Sequence, residues 1–330
     1  MNYQARYDKI LEKFPAGAYV ESNENIAYLS DMKIIHASSI RKCRIEIRSE
    51  GIQFFINKIY QPLVPDAVYS YMDGNNLPEA DASLACADDY VTEMRYIKSS
   101  EEVAALKQAM DLADWGMAHF KRLLKPGKVF MQVRFEVAAI LSEEANRRES
   151  EGYWSIVVSG AAGPSASPHI MGRESVRKLQ VGDVVSSVLI IGKDGYNIEC
   201  ERTFVLGDPS AGVQKCFEAI LAAQDAALDV CKEGKSISSI EDASLKVFRE
   251  YGMTEYVLHR AGHGMGIALQ EFPTAPAACN KPFQNGMVLA VEPALYVPGI
   301  GAFRHSDTVV VGKGMLNKYP RDLDNCIIRV

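Results

Sequence analysis

From Val103 onward, apolar residues recur at alternating spacings of three and four: Val103, Leu106, Met110, Ala113, Met117, Phe120 and Leu124. That period is one stripe of an α-helix laid against a core. Ser99 and Glu102 have the capping-box spacing at its start, and Pro126-Gly127 stops it. A second helix is expected over 131–148, with Val133, Val137, Ile140, Leu141 and Ala145 inward. Strand-like runs follow at 155–159, 184–191 and 196–206. The order then recurs. Val213, Phe217, Ile220, Leu221, Leu228 and Cys231 mark a helix, residues 237–251 another, and strands are expected near 257–260, 287–291 and 307–311. Two echoes support a duplicated unit: LLKPGK against VCKEGK, and Gly182-Asp183-Val184-Val185 against Gly286-Met287-Val288-Leu289.

The first 95 residues read differently. A short amphipathic helix ends near Phe14-Pro15. Apolar runs at 17–20, 26–29, 44–47, 53–56 and 67–71 are separated by turn residues and read as strands; residues 81–89 read as a helix or connector. Two domains are therefore expected, 1–95 and 96–330.

Composition narrows the class. The 330 residues are 48% hydrophobic and 24% charged, as in a globular protein. Lys plus Arg number 36 and Asp plus Glu 42, a formal charge of −6. No basic field points to nucleic acid or to an anionic membrane. The apolar stretch 287–297 is broken by Glu292 and Pro293, too short for a membrane span. The N-terminus is polar and lacks a secretory core. Seven cysteines without a CxxC pair suggest neither a disulfide framework nor a zinc knuckle. A cytoplasmic setting is expected.

Four segments hold polar residues in unlikely company. The loop SGAAGPSASPHIMG carries His169. The strand GYNIECERTFVLG carries Glu199 and Glu201, which share one face. In RAGHGMG, His263 sits between glycines that let backbone approach closely. In LAVEPALYV, Glu292 interrupts an apolar run, where a carboxylate is costly without partners. All but Glu292 also have a plain structural reading. Glu199 and Glu201 could line the wet face of an edge strand, paired with Arg202 or Arg304. His263 could be a hydrogen-bonded core histidine, and His169 an exposed loop group.

The runs EMRYIKSSEEVAALKQA, SGAAGPSASPH, VGDVVSSVLIIGKDGYNIECERTF, GHGMG, MVLAVEP and FRHSDTVVV resemble the pita-bread family of methionine aminopeptidase, aminopeptidase P, prolidase and creatinase. NIAYLS at 25–30 resembles the start of the small N-terminal domain that prolidase, aminopeptidase P and creatinase share. The resemblance implies an α+β protein: a duplicated pita-bread C-terminal domain with a curved antiparallel sheet, plus a small creatinase/prolidase-like N-terminal α/β domain. It also implies where chemistry sits. The family's peptidases hold two metal ions with Asp, Asp, His, Glu and Glu. The matching positions here are Val188, Glu199, His263, Glu292 and Ser306, and Gln270 stands where the peptidases have a further histidine. Creatinase, a metal-free hydrolase of a guanidino C–N bond, is similar in its loop histidine, its ERT triplet and its glutamate before proline. It differs in a histidine at the Ser306 position and an arginine near Thr274.

The leading expectation is a metal-independent, creatinase-like hydrolase of an amidine, guanidine or amide C–N bond in a small polar substrate. His169 would be the general base, with Glu201, His263 and Glu292 as the other catalytic groups. A histidine can take and return a proton near neutral pH, and Glu201 and Glu292 can hold a cationic group. Arg41, Arg304 and Glu199 would bind substrate, Arg173 being another candidate for its carboxylate, and no cofactor would be needed. The alternative is an Xaa-Pro dipeptidase or aminopeptidase-type metallopeptidase with one divalent ion, manganese or zinc, held by Glu199, His263 and Glu292; three protein ligands plus water suffice. A non-catalytic pita-bread binding protein is a second alternative, and a carbon–sulfur lyase a further one. The resemblance implies a homodimer whose segment 32–44, with Arg41, reaches the partner's site.

Overall fold

The computed structural model describes residues 1–31, 42–63, 69–71, 77–150, 152–164, 176–274 and 276–330. Contacts divide the chain into two compact units, Met1–Tyr96 and Ile97–Val330.

The first unit runs α1 (Tyr3–Lys13), β1 (Ala18–Val20), α2 (Asn23–Leu29), β2 (Arg44–Arg48), β3 (Gly51–Asn57), β4 (Tyr69–Tyr71), β5 (Ala85–Cys86) and α3 (Asp88–Met94). Its five strands form one mixed sheet in the order β4-β3-β2-β1-β5. The apolar run at 26–29, expected as a strand, is helical. Ser22 caps it by accepting from Asn25 N, and Ile26, Ala27 and Leu29 are fully buried. A four-residue apolar run fits a buried helical turn as well as a strand.

The second unit continues with α4 (Ser100–Leu123), α5 (Phe130–Arg148), β6 (Trp154–Ala162), β7 (Val184–Lys193) and β8 (Tyr196–Leu206). Its other half holds α6 (Ala211–Val230), α7 (Ser239–Glu250), β9 (Gly262–Gly264), β10 (Val288–Val291), β11 (Ala294–Val297), β12 (Gly301–Arg304), β13 (Asp307–Val310) and β14 (Gly314–Met315). The short α8 (Leu323–Cys326) and β15 (Ile327–Ile328) end the chain. The Ser99–Glu102 capping box is formed in full. Strands order as β15-β8-β7-β6 and β14-β13-β10-β9, with β11 and β12 as a separate antiparallel pair. The strand expected at 257–260 lies instead at β9, and the β11–β12 pair was not anticipated.

The duplication is visible in hydrogen bonds. Gly127 N donates to Leu179 O and Leu179 N to Lys128 O; in the other half Gly234 N donates to Phe283 O and Phe283 N to Lys235 O. Gly182 and Gly286, which lead into β7 and β10, both have φ of 90°, a conformation that glycine adopts without a Cβ penalty. Antiparallel pairing then sets β6-β7-β8 against β9-β10-β13 as equivalent triplets. The end of β12 meets β8 between these halves, where Thr203 bonds the Arg304 backbone.

Candidate active site

β8 is buried along its whole length, so Glu199 and Glu201 do not line a wet edge. On one side β7 sets Val188 opposite Glu201. On the other, Glu201 N donates to Ser306 O and Ser306 N to Glu201 O, both at 3.2 Å. Val188, Glu201 and Ser306 thus form one cross-strand row, and facing residues share a side of the sheet.

His263 enters from β9, opposite Ala290 of β10. Its flanking glycines are a steric necessity. A Cβ on Gly262 would lie 2.4 Å from Ala290 O, and one on Gly264 2.1 Å from Phe272 O. Glu292 follows β10, its N–H donating to Ala261 O at 2.7 Å. The Gln224 amide from α6 donates to Val291 O at 3.2 Å and to His305 O at 3.1 Å. One buried side chain therefore fixes the residue before Glu292 and the residue after Arg304.

These elements bring Glu199, His263 and Glu292 together, with one potential ligand atom from each, all within 4.8 Å of one another. His263 Nε2 lies 3.4 Å from Glu199 Oε2 and 3.3 Å from Glu292 Oε1. Its Nδ1 is 3.0 Å from Gly264 O. A carbonyl oxygen only accepts, so Nδ1 carries the hydrogen. Nε2 then faces two carboxylates, and that arrangement needs positive charge between them, a proton or a metal ion.

Arg304 also contacts these carboxylates, and Glu201 with them. Its Nε donates to Glu201 Oε2 at 2.9 Å and its Nη2 to Glu292 Oε2 at 3.1 Å. Nη2 also lies 2.7 Å from Glu201 Oε1 and 3.9 Å from Glu199 Oε1. The backbone holds the arginine there, because Arg304 N donates to Thr203 Oγ1 at 2.8 Å and Thr203 Oγ1 donates to Arg304 O at 3.0 Å. Behind the row, Arg202 pairs with Asp307 at 2.7 Å and donates to Glu201 O and Ser306 O.

The electrostatics follow from burial. Desolvation pushes the Glu292 carboxyl up to about 8, with the Glu199 charge adding and Arg304 opposing. Desolvation also lifts Glu201 well above the ordinary carboxylate range, against Arg304 and with Glu199 and Glu292. Burial pushes on Glu199 in the same direction, but His263 and Arg304 outweigh it and its carboxyl is lowered. Three buried carboxylates share one guanidinium, so the cage is short of positive charge. The donor set of two carboxylates and an imidazole suits manganese or zinc. These residues fit one divalent ion, completed by water.

The model of metallopeptidase family M24 matches residues 104–313. The chain belongs to this family. Among M24 relatives it is 30% identical over 239 residues, 72% of its length and 67% of the relative's, to an Xaa-Pro dipeptidase of Pyrococcus furiosus. It is 32% identical over 247 residues, 73% of its length and 66% of the relative's, to the putative dipeptidase YkvY of Bacillus subtilis. The matches therefore span about two thirds of these relatives' own length. Similar solved structures include the prolidase from Pyrococcus horikoshii, with a TM-score of 0.80 at 23% identity, covering 98% of this chain and 100% of that one. Dipeptidase PepE from Mycobacterium ulcerans gives 0.80 at 25% identity, covering 99% and 98%.

These findings correct two expectations. The metal-independent, creatinase-like hydrolase gives way, because the relatives are Xaa-Pro dipeptidases and the matching family is one of metallopeptidases. The cofactor-free site gives way with it. The structure supplies the physical reason: Glu201 and Glu292, expected to grip a cationic substrate, already grip the chain's own guanidinium. Arg304 is correspondingly internal, 9% exposed. His169, Arg41 and Arg173 lie outside the described residues. Gln270 is exposed beside Glu271, whose carboxylate forms a buried ion pair with Lys98 at 3.1 Å. Sequence reasoning missed Tyr296 and His259, whose rings meet edge to face at 5.6 Å. Burial raises the Tyr296 phenol, with Arg304 opposing and Glu201 and Glu292 adding. The only signal was a tyrosine inside the apolar run after Glu292.

Proposed function

We propose that this chain is a metal-dependent dipeptidase that cleaves Xaa-Pro dipeptides through a centre holding one divalent ion. The convergence of Glu199, His263 and Glu292 within 4.8 Å carries the reading, and the names of the M24 relatives supply the substrate class. In this reading the three residues hold the ion, which supplies Lewis-acid polarisation and an acidified water when bound. His263 is kept in one tautomer by Gly264 O, so that Nε2 faces the ion site. Such an outer hydrogen bond fixes ring orientation and ligand basicity. Arg304 holds Glu292 by one oxygen and leaves the other toward His263. Burial of all four side chains keeps bulk water from competing for these contacts.

The test is hydrolysis of Xaa-Pro dipeptides by the full chain. Activity should vanish with EDTA, return with manganese, and fall by at least about 10–100-fold in Glu292→Gln, the loss that even an outer-shell change at a metal site causes. Cleavage that persists in excess EDTA, or no cleavage with manganese present, overturns the reading. The same proposal includes a homodimer; light scattering at assay concentration should give twice the chain mass, and a monomer ends that part.

A further inference from the structure

We propose that Arg304 is a built-in cation that takes the place of a second metal ion, with Glu201 as its anchor, and so limits the centre to one divalent ion. The inference rests on the single-ion reading above and explains what keeps that number at one.

The first argument is charge. The groups in mutual contact are three carboxylates, Glu199, Glu201 and Glu292, one imidazole, and one guanidinium. Glu201 is fully buried, and Glu199 and Glu292 are nearly so. Buried charge has to be matched locally, because the cost of leaving it unmatched is several kcal/mol per ion. With all three ionised, the state a bound cation favours, the guanidinium cancels one carboxylate and one divalent ion cancels the other two. A second divalent ion would leave the cage with an excess of two positive charges. Arg260, the other cation acting on Glu292, is less buried and forms no ion pair within it among the described residues.

The second argument is place. A second ion bound beside Glu201 would draw donors from the residues on either side of it in the sheet. Those are Val188, which has no donor atom, and Ser306, a neutral hydroxyl. The space at Glu201 is instead filled by Arg304, with Nε on one oxygen at 2.9 Å and Nη2 at 2.7 Å from the other. Thr203 holds the arginine backbone from both its N–H and its C=O, and the contacts to Glu201 and Glu292 hold the guanidinium itself. Glu201 is therefore a positioning residue, and acts on the ion only through Arg304 and through its charge.

Metal binding tests this without any substrate. Chelator-stripped full chain is titrated with Mn²⁺ by calorimetry, and the dialysed complex is counted by elemental analysis. The wild type should take one Mn²⁺ per chain. Arg304→Met removes a positive charge and should bind Mn²⁺ at least about tenfold more tightly, or admit a second ion. Arg304→Lys keeps the charge, and Glu201→Gln with Arg304→Met restores the net charge; both should stay within about threefold of wild type. If Arg304→Met does not fold, Glu201→Gln decides: Mn²⁺ affinity should fall about tenfold although Glu201 is not a ligand. Two ions per wild-type chain, no ion at all, or unchanged affinity in a folded Arg304→Met or in Glu201→Gln overturns the proposal. One ion with the expected ordering but no dipeptide cleavage leaves Arg304's role standing and removes only the substrate reading. Cleavage with two ions does the reverse.

Discussion

Single side chains in this protein are set by what burial does to charge. His259 shows it outside the ligand set. Its Nδ1 donates to Arg260 O at 2.6 Å, and Nε2 has no hydrogen-bond partner among the described residues. Desolvation, with the Arg304 charge adding, lowers its pKa to about 4 from an ordinary 6.5. The unfolded chain then binds more protons than the folded one between those values. Stability is full above pH 6.5 and is lost as pH falls toward 4, by up to about 3 kcal/mol. His305, also buried and lowered by desolvation, acts in the same direction. Urea unfolding at pH 7.5, 5.5 and 4.5 checks this: His259→Phe should lose less stability on acidification than wild type. Parallel losses in the two proteins would remove His259 from the account.

Elements are placed by a few backbone positions that only one residue type satisfies. Gly182 and Gly286 lead into equivalent strands, and both have φ of 90°. Their surroundings differ. A Cβ at Gly286 would lie 2.9 Å from Ile97 Cγ2, whereas at Gly182 nothing is within 4 Å. Gly182→Ala should therefore cost about 1–2 kcal/mol, the penalty of a Cβ at positive φ alone. Gly286→Ala should cost more, because the exposed Ile97 side chain must move as well. Denaturant midpoints of the two variants give the ordering, and equal costs would mean that the Ile97 contact relaxes freely.

At the scale of the second unit, the candidate site exists because two similar halves meet there. Glu199 and Glu201 come from the first half; His263, Glu292 and Arg304 come from the second. Arg202 ties the halves from behind through Asp307, Ser306 O, Tyr319 O and Pro320 O. Gln224 ties α6 to both β10 and the β12–β13 junction. A rigid sheet on each side is what holds carboxylates close enough to need an added cation. Among the described residues, no helix is long and apolar enough to cross a membrane.

The helices of the second unit, the Ser99 cap of α4 and the duplicated order could be read from the chain, because periodicity and capping are local. α4 begins at Ser100 behind the Ser99 cap, and β8 spans the expected 196–206. The fold class and family were legible for the same reason: GHGMG and the ERT strand satisfy steric demands that few sequences meet. Short runs were not. Residues 26–29 form a helix, and the β11–β12 pair passed unnoticed, because four apolar residues carry no period. The chemistry of the site was misjudged at one point. Val188 and Ser306 were read as poor ligands, and from the chain alone that loss suggested a metal-free hydrolase with free carboxylates. Arg304 lies 103 residues from Glu201. Only cross-strand register and burial assign its guanidinium to Glu201 and Glu292, and so leave Glu199, His263 and Glu292 facing a shared point. Contacts of that range depend on how the two halves pack, and no local pattern encodes them.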